Sequence, residues 1–94
     1  MAKKVIWSKA AKAVFDYLDY EFSEKTAEKF ADNVSERLRL IGNHPESGRI
    51  TNKKRNVWMA KIDKYRVLYY KVKDSIVILY LFDTRQDPRK NPYR

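Results

Sequence analysis

Tyr65-Arg66-Val67-Leu68-Tyr69-Tyr70-Lys71-Val72, a break at Asp74-Ser75, then Ile76-Val77-Ile78-Leu79-Tyr80-Leu81-Phe82: this stretch decides the fold. Both runs are rich in β-branched and aromatic residues, which suit a pleated, half-buried surface. The short polar break between them fits a hairpin turn. The second run is apolar on both faces. It predicts a central strand covered by helices on one side and by something else on the other. Just upstream, Val57-Trp58-Met59-Ala60-Lys61-Ile62 has the same character and supplies another strand. Between Pro45 and Arg55 the chain is polar, contains Gly48, and reads as an irregular connection.

Working back toward the start, the period changes. Ala11, Val14, Phe15, Leu18 and Phe22 recur at helical spacing, with Ser8 ahead of them as an N-cap. Ala27, Phe30, Val34, Leu38 and Ile41 form a second series in steps of three and four, with Ser23 as its cap. Gly42-Asn43-His44-Pro45 stops it, because proline cannot continue a helix. His44 reads as a helix C-terminal residue beside the negative end of the dipole. Two helices with almost no linker make a hairpin whose apolar stripes need a surface to cover. Val5-Ile6-Trp7 is a short strand, with Trp7 in the core; Trp58 and Tyr69 read as packing residues. The order β-α-α-β-β-β predicts an α+β fold: a small antiparallel sheet with the N-terminal helical hairpin packed on one face. From Asp83 onward the chain is a polar tail with two prolines.

Ninety-four residues make one domain, residues 1–94, and 44% apolar content is enough for a core. The absence of cysteine excludes a disulfide scaffold, a thiolate metal site and a thiol nucleophile. One histidine leaves little for a histidine-ligated metal or a Ser-His-Asp triad, so no metal or cofactor is expected. The longest apolar run is far too short for a membrane span, and no apolar stretch follows Met1 to suggest a signal peptide. A cytoplasmic chain without membrane contact is expected. The net charge of +9 is unevenly placed. Up to Ser47, eight basic residues meet eight acidic ones; from Gly48 onward, thirteen meet four. Such a basic half attracts polyanions, nucleic acid or an acidic protein.

The ordered set Ile6-Trp7-Ser8, Ala27-Glu28-Lys29-Phe30, Ile41 with Pro45, Gly48-Arg49, Tyr65-Arg66-Val67-Leu68-Tyr69, and Ile78-Leu79-Tyr80 leading to Asp83-Thr84-Arg85-Gln86-Asp87-Pro88 spans nearly the whole chain. Together these segments resemble the RelE/ParE superfamily of toxins from bacterial type II toxin–antitoxin systems. The resemblance implies a small twisted sheet backed by two helices, and a cognate antitoxin that wraps the toxin and silences it. It also implies one of two activities: cutting messenger RNA at the ribosome, or poisoning DNA gyrase. The basic half would favour an acidic antitoxin, which could extend a sheet edge or cover the outside of the helical hairpin.

Cutting RNA requires a base, an acid and a cation at the phosphate. By resemblance to the ribonuclease branch, Arg66 and Arg85 would grip the phosphate and Tyr93 would stack on a base or relay a proton. That branch carries alternating lysines on the strand before Tyr65-Arg66, whereas this chain has only Lys61 there, with Lys64 in the turn. The incomplete set favours a ParE-like toxin acting on gyrase by binding. A ribosome-dependent, metal-independent endoribonuclease and a non-toxic nucleic-acid-binding module are the alternatives. Arg49, Lys53, Lys54, Arg55, Lys64, Arg89 and Lys90 are the candidate contacts to nucleic acid or partner. Each arginine has a plainer alternative: Arg66 in a cross-strand ion pair, and Arg85 paired with Asp83 or Asp87.

Overall fold

The computed structural model describes residues 2–93. Its first helix, α1 (Lys9–Glu21), starts where Ser8 turns extended and accepts the Ala11 amide at 3.1 Å. The second, α2 (Glu24–Asn43), starts at Ser23, which accepts the Thr26 amide at 3.4 Å. Both caps fall where the sequence places them. Phe22 and Ser23 alone separate the helices, and the break comes from their extended backbones. At the far end His44 caps α2, donating its amide to the Leu40 carbonyl at 2.7 Å.

Five strands form one sheet: β1 (Val5–Trp7), β2 (Arg49–Asn52), β3 (Val57–Lys61), β4 (Arg66–Val72) and β5 (Ile76–Asp83), in the order β1-β5-β4-β3-β2. From β2 to β5 every pairing is antiparallel. The sheet departs from the expected architecture at one edge, where β1 joins β5 in parallel, Val5 opposite Ile76. The connection between them runs through the helical hairpin and then β2, β3 and β4, long enough for a parallel pairing. Centrality also shifts by one place: β4 lies in the middle, and β5 is the interior strand between β4 and β1.

β2 corrects the reading of residues 45–55 as irregular. Arg49–Asn52 is a strand whose four residues are all exposed, so it has no apolar alternation to betray it. Its turn into β3 is closed by asparagines. Asn56 takes a left-handed φ of 56°, which asparagine tolerates better than most residues. Its side-chain Nδ2 donates to the Val72 carbonyl at 2.7 Å, and its side-chain oxygen accepts the Trp58 indole N–H at 2.9 Å.

Two apolar layers cover the sheet. Ala11, Leu18, Phe30, Val34 and Ile41 from the helices meet Leu68, Tyr70, Ile76, Ile78 and Leu81 on one face. On the other face Val57, Val67, Tyr69 and Phe82 form a smaller cluster. A bulge explains how one continuous run serves both. Tyr69 pairs with Tyr80 but Tyr70 with Ile78, so Leu79 is an extra residue. Ile78 and Leu81 can therefore both face the helices. The cover on the second face is the C-terminal tail. Buried Asn91 donates to the Tyr69 hydroxyl at 2.8 Å and accepts the Tyr93 amide at 2.9 Å. Tyr93 stacks on Tyr69 with centroids 5.4 Å apart.

The segment after α2 is pinned from beneath. The fully buried Tyr70 hydroxyl donates to the Pro45 carbonyl at 2.7 Å and accepts the Gly48 amide at 3.2 Å. Burial pushes this phenol's pKa up. Gly48 is required for the close approach: a Cβ there would lie 2.7 Å from the Met59 carbonyl oxygen and against the Tyr70 hydroxyl.

Candidate functional site

The candidate basic residues separate into paired and unpaired groups. Among the described residues, Arg66, Arg85 and Arg89 are ion-paired, with Asp63 and Asp83, with Asp83, and with Asp87 respectively. Arg49, Lys53, Lys54, Arg55, Lys61, Lys64 and Lys90 make no ion pair within that set. Lys53, Lys54 and Arg55 form the tip of the β2–β3 turn, Arg49 opens β2, and Lys61 closes β3. Lys64 lies in the turn that follows β3, and Lys90 ends the short helix Pro88–Lys90 in the tail. Unpaired charge thus sits at both ends of β3, about 17 Å apart for a strand of this length. Its self-energy is lowered by any polyanion that spans them.

The four residues singled out for RNA cleavage do not come together on one face. Arg66 points under the helices, with its guanidinium carbon 4.5 Å from the Phe22 ring centroid and 5.5 Å from that of Phe30. It bonds Asp63 at 3.1 Å and lies 3.8 Å from Asp83, and its side chain is only 13% exposed. Its Nε is buried without a partner among the described residues. Lys61 pairs with Val67, the next residue along β4, and so belongs to the opposite face. Tyr93 is on that opposite face too, stacked on Tyr69.

Arg85 lies beyond the end of β5. Asp83 accepts its Nε at 3.1 Å, its terminal nitrogen at 2.7 Å and its amide at 2.9 Å. That arrangement holds the Asp83 carboxyl below the usual carboxylate range, the Arg85 hydrogen bond being the largest cause. The guanidinium carbon then rests 4.4 Å from the Tyr65 ring centroid, and the Lys64 ammonium lies 5.4 Å from the same centroid. Thr84 fixes this corner by donating both its amide and its hydroxyl to the Tyr65 carbonyl at 2.7 Å.

The chain matches the family described as the ParE toxin of the type II toxin–antitoxin system parDE, over residues 5–88. The chain belongs to the ParE toxin family. A solved YoeB/ParE toxin from Agrobacterium tumefaciens shares the fold with a TM-score of 0.66 at 12% identity, covering 85% of this chain and 96% of that one. No curated protein matches. As a toxin of a type II system, this ParE-family protein pairs with an antitoxin. Its RelE/ParE superfamily membership agrees with the sequence reading.

The ParE family match stops at Pro88, so the Asn91–Tyr93 strap lies beyond it. Within the matched region, sequence reasoning missed Tyr65 as a surface group; Lys64-Tyr65-Arg66, an aromatic between cations, was the available signal. It also missed Asn91, a polar residue in a tail that gave no hint of burial. Among the described residues no group of three or more His, Asp or Glu converges to hold a metal, and no helix is long and apolar enough to cross a membrane.

Proposed function

We infer that this toxin arrests growth by binding DNA gyrase, and that an acidic antitoxin holds it silent. One observation carries the preference for binding over RNA cleavage. Arg66 is committed to Asp63, Phe22 and Phe30 under the helices, while Lys61 and Tyr93 belong to the other side of the sheet. A base, an acid and a phosphate-gripping cation must meet within hydrogen-bond reach of one phosphate, and that separation opposes it. The unpaired cations at both ends of β3 support a polyanionic target and an acidic silencer alike.

The experiment is to add purified toxin to a gyrase supercoiling reaction and, separately, to a translation reaction. Loss of supercoiling or accumulation of cleaved DNA, with intact message, is expected. Truncated message with normal supercoiling would restore the ribonuclease reading. No response in either reaction would leave a binding module without toxicity. Co-expression with an adjacent small acidic protein should rescue growth, and harmless accumulation of the toxin alone would sink the proposal.

A further inference from the structure

We propose that the Lys64–Tyr65–Arg85 corner is a stacking platform for an unpaired base of single-stranded nucleic acid. The idea deepens the reading above by naming what part of a nucleic-acid machine the toxin touches, and it rests on that reading only for its biological setting.

Charge alone does not make this corner. Lys64, Arg66 and Arg85 sit with Asp63 and Asp83, so three cations face two carboxylates. Most of the Arg85 charge is answered by Asp83. What distinguishes Arg85 is its fixed plane. Two of its side-chain nitrogens are bound to one carboxylate, its guanidinium lies against the Tyr65 ring, and its side chain is still 54% exposed. A planar cation already immobilised loses little freedom when a second flat group lies on it. Guanidinium planes and aromatic rings are the surfaces on which proteins stack splayed-out bases. Tyr65 is itself 38% exposed, and Lys64, unpaired among the described residues, can meet the phosphate next to a stacked base. In a paired duplex the base faces are already occupied, which selects the single strand. An acidic peptide offers charge but no flat face, so it would use the β2–β3 turn instead.

The test is fluorescence anisotropy with labelled polyanions of about twelve units, a length within the usual site size of single-strand binders. The probes are oligothymidine, an abasic phosphodiester strand, a duplex, and polyglutamate. Oligothymidine should bind at least about five-fold more tightly than the abasic strand, the lower end of what one stacked base contributes. Tyr65→Ala and Arg85→Gln should erase that preference with little change in salt dependence. Tyr65→Phe, which keeps the ring, should retain it; this variant carries the test if Tyr65→Ala fails to fold by circular dichroism. Replacing Lys53, Lys54 and Arg55 with alanine should weaken all four probes and reduce the salt slope, leaving the base preference intact. Equal binding of oligothymidine and the abasic strand would overturn the proposal. So would a preference that survives Tyr65→Ala, or an equal Tyr65 dependence for duplex or polyglutamate. Failure in the gyrase reaction with the base preference intact would count against the gyrase target and leave this site standing.

Discussion

Replacing Arg66 by alanine separates a structural arginine from a catalytic one. The side chain makes one close ion pair, with Asp63, at 13% and 23% exposure of the two partners. Fully buried pairs cost about 3–5 kcal/mol to break and exposed ones about 0–1, so an intermediate value of about 2 kcal/mol applies. Loss of the contacts to Phe22 and Phe30 adds about 1 kcal/mol. The total, about 3 kcal/mol, corresponds to a melting point lower by about 12–24 °C for a domain of this size. Arg66→Lys should recover only part of it, because a point charge cannot bond Asp63 and lie flat on Phe22 together. Thermal unfolding by circular dichroism reads the shift, and growth arrest is scored at a temperature well below the lowered midpoint. There the folded variant should still arrest growth. A melting point within a few degrees of wild type, or a stably folded variant without activity, would refute the structural assignment.

Gly48→Ala should cost about 2–4 kcal/mol, since the added methyl forces overpacking and disturbs the buried Tyr70 hydroxyl; urea unfolding measures it, and a cost under about 0.5 kcal/mol would contradict the packing described. Asn91→Ala should lose about 1–2 kcal/mol and raise amide exchange in the tail, an effect absent if the Tyr69 bond does not form in solution. Asp83 titrates below its unfolded value, so its stabilisation is fully present above the ordinary carboxylate pKa and disappears as pH falls through the lowered one. Asp83→Asn should therefore destabilise the protein at neutral pH, and the gap from wild type should close in strong acid; a gap independent of pH would exclude the Arg85 pairing as its source.

The helices were legible because local rules agree there: serine caps, apolar residues every three or four positions, and Gly42 with Pro45 at the stop. The β4–β5 hairpin was legible for the same reason. β2 was not, since Arg49, Ile50, Thr51 and Asn52 are all exposed and only the partner strand makes them extended. The parallel docking of β1 depends on Val5 meeting Ile76, a pairing without any local signal. At the candidate site, sequence located the excess charge in the second half of the chain. Which cations are neutralised depends on contacts such as Arg66 with Phe22, separated along the chain by the whole of α2. Asp83 was a candidate partner for Arg85, and that pairing is present.

The parallel pairing of β1 with β5 also orders events in time. Val5 can find Ile76 only after β5 has been synthesised, and loop-closure entropy must be met before that long-range contact rewards it. A ribosome still translating β4 therefore carries a toxin whose N-terminal strand has no edge to join. Until β5 emerges, the edge that β1 will occupy does not exist, so completion of the sheet is the last step of its assembly along the chain.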